Sequence, residues 1–155
     1  MNILIIEDDK IKLERLVSFF KSETVSIKES YHSGLRELIQ KNDIDLLILD
    51  MSLPLWEGTE QGSGENNEQF GGTNILRELK RRKRNIPVIL VTMFDVFADG
   101  SLTFQQLNAQ LSELYSPFYK GGVFYNASED KWKYDLENLV NQVKKELNDK
   151  SFDNR

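Results

Sequence analysis

The sequence contains no cysteine and a single histidine, His32. The first absence excludes a disulfide framework, thiolate metal ligands and cysteine nucleophiles, and it fits a reducing compartment. The second excludes a metal site built from several histidines, and no catalytic role is assigned to His32. No apolar run approaches the roughly 18 residues that span a bilayer, so no membrane partner is expected. No basic segment precedes the first apolar run, Ile3 to Ile6, and acids follow it at once. A signal peptide is therefore not expected, and a cytoplasmic location follows by default. Positive charge is not in excess either. The formal net charge of -5 gives no electrostatic reason to expect nucleic acid as the main partner.

What is present suits one globular domain. The chain has 155 residues, 39% of them hydrophobic and 29% charged. It has no internal repeat. Apolar runs and helical stripes alternate along it. Ile3 to Ile6 reads as a buried strand that stops at Glu7, Asp8 and Asp9. Ile11, Leu13, Leu16, Val17, Phe19 and Phe20 form a broad helical stripe. Val25 to Tyr31 carries a weak alternating strand signal. Ser33 is a candidate cap for a helix bearing Leu35, Leu38 and Ile39.

Ile44 to Leu49 is a second strong strand, ending at Asp50. Leu55 to Gly71 is polar and glycine-rich and reads as a long loop. Thr73 is a candidate cap for the helix with Ile75, Leu76 and Leu79, which ends in the basic run Lys80 to Arg84. Val88 to Val91 is another strong strand, ending at Thr92. Phe94 to Leu102 reads as irregular. Phe104, Leu107, Leu111 and Leu114 keep helical spacing until Pro117. A last strand is expected over Val123 to Tyr125, then a long amphipathic helix through Trp132, Leu136, Val140 and Leu147. Residues 151–155 read as a frayed tail. Five strands alternating with five helices imply an α/β fold, a doubly wound parallel sheet covered on both faces with right-handed crossovers.

Ligands of such sheets bind beyond the carboxyl ends of the strands. Here those ends carry Glu7, Asp8 and Asp9, then Asp50, then Thr92. If these strands are neighbours, at least three carboxylates converge. Their mutual repulsion disfavours full ionisation without a cation, and hard divalent cations prefer oxygen ligands. The pattern predicts a Mg²⁺-type site, with Asp50 as a carboxylate nucleophile toward phosphorus and the Thr92 hydroxyl near a phosphoryl oxygen. The bland reading of any one of these acids is a solvated loop residue or a helix cap.

Ile3-Leu4-Ile5-Ile6-Glu7-Asp8-Asp9, Leu47-Ile48-Leu49-Asp50-Met51-Ser52-Leu53-Pro54 and Pro87-Val88-Ile89-Leu90-Val91-Thr92 together resemble the receiver domains of two-component response regulators. The resemblance covers about Met1 to Leu147. It implies a flavodoxin-like, CheY-like fold with strand order 2-1-3-4-5. It implies phosphorylation of Asp50 by a histidine kinase or phosphotransfer protein. Asp8, Asp50 and the backbone carbonyl of Ser52 would ligate Mg²⁺, Glu7 would act through water, and Thr92 would be the switch hydroxyl. The domain is expected over 1–149, with an inserted loop at 55–71 and a flexible tail at 150–155.

Three departures from the family stand out. The family's lysine at the end of the fifth strand is replaced here by Asn126, and Lys120 lies too early to substitute. Val123 holds the position of the family's switch aromatic. The loop after Pro54 is longer than usual, and reads either as a lid or partner-binding element or as a tolerated insertion. In the family the last strand and its flanking helices form dimer or partner surfaces. That makes a homodimer conceivable and Trp132 a candidate surface aromatic. Lys80 to Arg84 reads as a solvated helix end.

Three functions are carried forward. The first is a stand-alone phosphoacceptor that signals through a downstream protein partner and does not act on an outside substrate. The second is a phosphorylation-independent pseudo-receiver that binds a partner. The third is a Mg²⁺-dependent phosphohydrolase, for which Asp95 would be the nearest further acid.

Overall fold

A computed structural model of the chain describes residues 1–56, 67–68, 71–93, 96–97 and 102–153. Five strands, β1 (Asn2–Ile6), β2 (Thr24–Lys28), β3 (Leu46–Leu49), β4 (Val88–Thr92) and β5 (Tyr119–Phe124), pair in parallel in the order β2-β1-β3-β4-β5. This is the doubly wound sheet expected from the alternating pattern, in the flavodoxin-like strand order that the family resemblance implies. Ile6 pairs with Leu49, and Leu49 with Leu90, so β1, β3 and β4 end almost level. Five helices join them: α1 (Lys10–Phe19), α2 (Tyr31–Gln40), α3 (Gly71–Arg81), α4 (Phe104–Tyr115) and α5 (Lys131–Asp153).

The sheet is apolar on both faces because both are covered. Leu4, Ile6, Leu47, Leu49, Val88 and Leu90 pack with residues of α2, α3 and α4. Ile3, Ile5, Leu46, Ile48, Ile89 and Val91 pack with residues of α1 and α5. The strict alternation is the period of a strand expressed twice, once for each core.

Several local expectations need correction. α2 is capped by Ser30, whose side chain accepts from the Ser33 backbone N–H at 3.2 Å. Both serines suit a cap, and only their three-residue spacing places the first outside the helix. α3 starts at Gly71, so Thr73 is its third residue, with its hydroxyl on the sulfur of Met51 at 3.2 Å. β5 begins at Tyr119, four residues ahead of Val123, because Gly121 and Gly122 are drawn into pairing with Ile89 and Leu90. Within the stretch expected to be irregular, Val96–Phe97 pairs with Leu102–Thr103. α5 runs to Asp153, past residue 149. Trp132 is 1% exposed and packs against Tyr125 and Phe19, so it belongs to the core and not to a docking surface.

The basic run at the end of α3 is engaged locally. Arg81 and Arg82 pair with Glu78 at 2.8 and 3.1 Å, and Arg84 donates to the Ile39 and Lys41 carbonyls at the end of α2. Cations there meet the negative pole of the neighbouring helix. Leu53–Pro54 pairs with Asn67–Glu68 across the inserted loop, and much of the loop, with Phe70, lies outside the described residues, as does Asp95.

Candidate functional site: an acidic cluster with a buried lysine

The residues that follow β1 and β3 are tied to the sheet before they diverge. The Asp50 N–H donates to the Ile6 carbonyl at 3.2 Å, and the Glu7 N–H donates to the Lys28 carbonyl at 3.0 Å. Carboxylate oxygens of Glu7, Asp8 and Asp50 consequently lie within 4.8 Å of one another. Glu7 and Asp50 are buried, and Asp8 is open to solvent. Such a group could hold a divalent cation with oxygen ligands.

The cluster contains a cation of its own. Lys12, in the first turn of α1, is 0% exposed, and its Nζ lies 2.5 Å from Glu7 Oε1 and 3.2 Å from Asp50 Oδ1. It also donates to the Val91 carbonyl at 2.5 Å. An ammonium has three N–H donors; one is used on the Val91 carbonyl, while Glu7 Oε1 and Asp50 Oδ1 are ion-paired with it and have no hydrogen-bond partner of their own among the described residues. The Tyr125 ring lies 6.0 Å away on the β5 side.

The local sequence aims Lys12 inward. Asp9, the acid just outside the pair, is the N-cap of α1, and its Oδ1 accepts from the Lys12 N–H at 2.9 Å. Glu7 Oε2 accepts from the N–H groups of Asp8 and Asp9 at 3.1 and 3.0 Å, which fixes the turn between β1 and α1. Lys12 therefore enters the helix at a set angle, on the same face as Leu16 and Phe20.

The electrostatics follow from burial. Burial raises Glu7 from 4.5 to about 7, with Lys12 pulling it down and Asp50 pushing it up. Loss of solvent around its carboxylate, then the charge of Asp50, raise Asp8. For Lys12, burial works downward, but Asp50 and Glu7 together outweigh it and raise its pKa, so the ammonium stays charged.

The other expected positions lie on or next to β3, β4 and β5. Thr92 is buried at the end of β4, two residues beyond the partner of Leu49, and its carbonyl accepts from the Tyr125 N–H at 2.8 Å. Ser52 lies in the bend between β3 and Leu53–Pro54. Gly72 donates its N–H to the Met51 carbonyl at 2.8 Å, which seats the start of α3 against the chain leaving Asp50. Asn126 follows β5, but its amide oxygen accepts from the Ser128 N–H and hydroxyl at 3.0 and 2.8 Å in a local turn. Lys120 pairs with Glu146 at 2.7 Å, near the other end of the strand, away from the cluster.

The apolar stripe of α1 does not reveal Lys12: it includes Ile11, which is 68% exposed, and leaves out Lys12, which is buried. The usable signal was its register. Lys12 stands four residues before Leu16 and eight before Phe20, on the inward face and three residues after Asp9, the last of three acids.

The chain has relatives among known proteins. It is 30% identical over 145 residues to the uncharacterized protein y4jR of Sinorhizobium fredii, covering 89% of this chain and 95% of that protein. It is 23% identical over 148 residues to the Detocs response regulatory protein DtcB of Enterobacter cloacae, covering 90% and 99%. Among solved structures, a response regulator receiver domain protein from Clostridium thermocellum superposes with a TM-score of 0.62 at 21% identity, covering 94% of this chain and 97% of that one. No protein-family model matches the chain. The fold is that of response regulator receiver domains, and the relatives of the chain include response regulators. Among the described residues, no helix is long and apolar enough to cross a membrane.

Proposed function

We propose that the protein is a phosphoacceptor that receives a phosphoryl group on Asp50 in a Mg²⁺-dependent manner and signals through protein partners. The observation that carries this is the buried Asp50 carboxylate at the end of β3, grouped with Glu7 and Asp8.

The donor set fits a hard divalent cation. Three carboxylates meet one ammonium, which leaves two negative charges uncompensated when all are ionised. Oxygen ligands at mixed depth, with Asp8 open to water, suit an ion that keeps part of its hydration shell. Asp8, Asp50 and the Ser52 carbonyl would hold the ion, with Glu7 acting through water. Bound there, Mg²⁺ supplies charge neutralisation at the phosphoryl oxygens.

The chain's own groups do the rest. An Asp50 oxygen attacks phosphorus, the bond from phosphorus to the donor nitrogen or oxygen breaks, and the donor leaves with the electron pair. The product is an aspartyl phosphate. Thr92, at the end of β4, would donate its hydroxyl to a phosphoryl oxygen. The donor in a cell would be a histidine kinase or phosphotransfer protein, and the altered surface would be read by a downstream protein.

The test is intact mass after incubation with Mg²⁺ and acetyl phosphate, beside Asp50→Asn. A single phosphoryl adduct on the parent, absent from the variant, is expected. No adduct on the parent with Mg²⁺ bound would sink the proposal. It would favour the second reading, a phosphorylation-independent binding module, which the existing pairing of Asp50 with Lys12 supports.

A further inference from the structure

We propose that Lys12 is the phosphoryl-pairing cation of this site, supplied by α1 because β5 brings no lysine to it. This rests on the reading of Asp50 as acceptor. A buried ammonium is tolerated only where charge and hydrogen bonds surround it. Here it meets two carboxylates and a carbonyl, at 2.5, 3.2 and 2.5 Å. Lys12 reaches Asp50 as well as Glu7.

Its two other tethers matter. The Glu7 contact anchors the ammonium to the end of β1, and the Val91 carbonyl anchors it beside Thr92. When one Asp50 oxygen carries a phosphoryl group, the other becomes a neutral carbonyl oxygen. The attraction for the ammonium then moves outward to the phosphoryl oxygens, which carry more charge than the carboxylate they replace. Lys12 can follow on its flexible four-carbon stem. The ammonium, ion-paired with Asp50 but not hydrogen-bonded to it, can then donate to a phosphoryl oxygen.

Asn126 cannot serve in this way. It carries no charge, and its side-chain oxygen is held by Ser128. Lys120 is committed to Glu146. Among the described residues, Lys12 is the cation whose Nζ touches Asp50. One mechanical consequence follows. Phosphorylation would pull on the first turn of α1, the segment capped by Asp9, and not on the segment after β5.

The test compares two ligands on the parent and Lys12→Met, a substitution of similar length without charge. Mg²⁺ alone is titrated first. Beryllium trifluoride, an anionic tetrahedral stand-in for the phosphoryl group on Asp50, is titrated next in the presence of Mg²⁺ and followed by fluorine NMR. Lys12→Met is expected to bind Mg²⁺ as tightly as the parent or more so, because a competing cation has gone. Its affinity for beryllium trifluoride is expected to fall about 10- to 100-fold, the scale of a charge-assisted hydrogen bond. Lys12→Met with Asn126→Lys is expected to recover part of that loss.

Equal beryllium trifluoride affinity in the parent and Lys12→Met would overturn the proposal while leaving Asp50 as acceptor. Failure of the parent to bind it with Mg²⁺ in place would overturn both. Should Lys12→Met not fold, the parent answers alone. The Lys12 Nζ resonance must shift when beryllium trifluoride is added to the Mg²⁺ form, and an unmoved resonance overturns the assignment.

Discussion

At Glu7 two opposing effects meet. Burial favours the neutral acid, and the Lys12 ammonium favours the anion, yet burial wins and the pKa sits at about 7. A carboxyl raised in the folded state holds its proton where the unfolded chain has lost it. Its stabilising contribution is therefore complete below about pH 4.5 and is lost as pH rises through about 7. At about 1.4 kcal/mol per pH unit, the step from 4.5 to about 7 amounts to about 3 kcal/mol. Asp8, also raised, contributes with the same sign. Urea melts in EDTA at pH 5 and pH 8 should show the parent losing stability across that window, and Glu7→Gln should flatten the slope. A parent equally stable at both ends would mean that the ammonium fully compensates Glu7.

The same pair of residues explains what could be read early and what could not. Acids are legible because they terminate apolar runs, so Glu7 and Asp50 announce themselves at strand ends. A lysine inside a helix is ordinarily a solvated residue, and hydropathy alone assigns it outward. Only the geometry around it, three oxygens within 3.2 Å, identifies Lys12 as part of the site.

At the scale of elements, the site depends on how closely α3 approaches the chain after β3. A Cβ on Gly72 would lie 2.4 Å from the Asp50 carbonyl oxygen and 3.0 Å from Met51 Cα. Both are backbone atoms and neither can rotate away. Gly72→Ala must push the first turn of α3 outward and strain its hydrogen bond to the Met51 carbonyl. A loss of about 1–3 kcal/mol is expected, as for other overpacked contacts. Chemical denaturation would measure it. Amide shifts at Met51 and Ser52 would show whether the acceptor segment moves with the helix. An unchanged midpoint would indicate that the approach is looser than these distances imply.

The strands were readable because a parallel sheet buried on both faces needs nearly continuous apolar runs, as in Ile3 to Ile6 and Leu46 to Leu49. Helix starts were less readable. Ser30 and Ser33 compete for one cap, and the start of α3 is set by tertiary contact at Gly72 more than by local chemistry. The exposed tryptophan expected at residue 132 failed for a related reason. Amphipathic spacing shows that a residue faces the sheet, and Trp132 keeps the spacing of Leu136 and Val140, both buried beside it.

At the scale of the whole molecule, the cluster couples folding to cation binding. The unfolded chain has no preformed site, so an ion that binds only the folded state stabilises it by mass action. The gain is about 2.7 kcal/mol when the free ion is at 100 times its dissociation constant. For a chain of 155 residues this should raise the melting temperature by about 5–10 °C. The rise should be larger at pH 8 than at pH 5. At the lower pH, Glu7 holds a proton that the incoming charge must displace. EDTA should reverse it, and Asp8→Asn should reduce it, since that change removes the solvent-facing carboxylate of the group while leaving the buried Glu7–Lys12–Asp50 core in place. Differential scanning calorimetry at the two pH values, with and without Mg²⁺, decides the matter. A melting temperature indifferent to Mg²⁺ at pH 8 would mean that Lys12 alone satisfies the acids, and that the charge left over in the cluster is carried by protons and not by a metal.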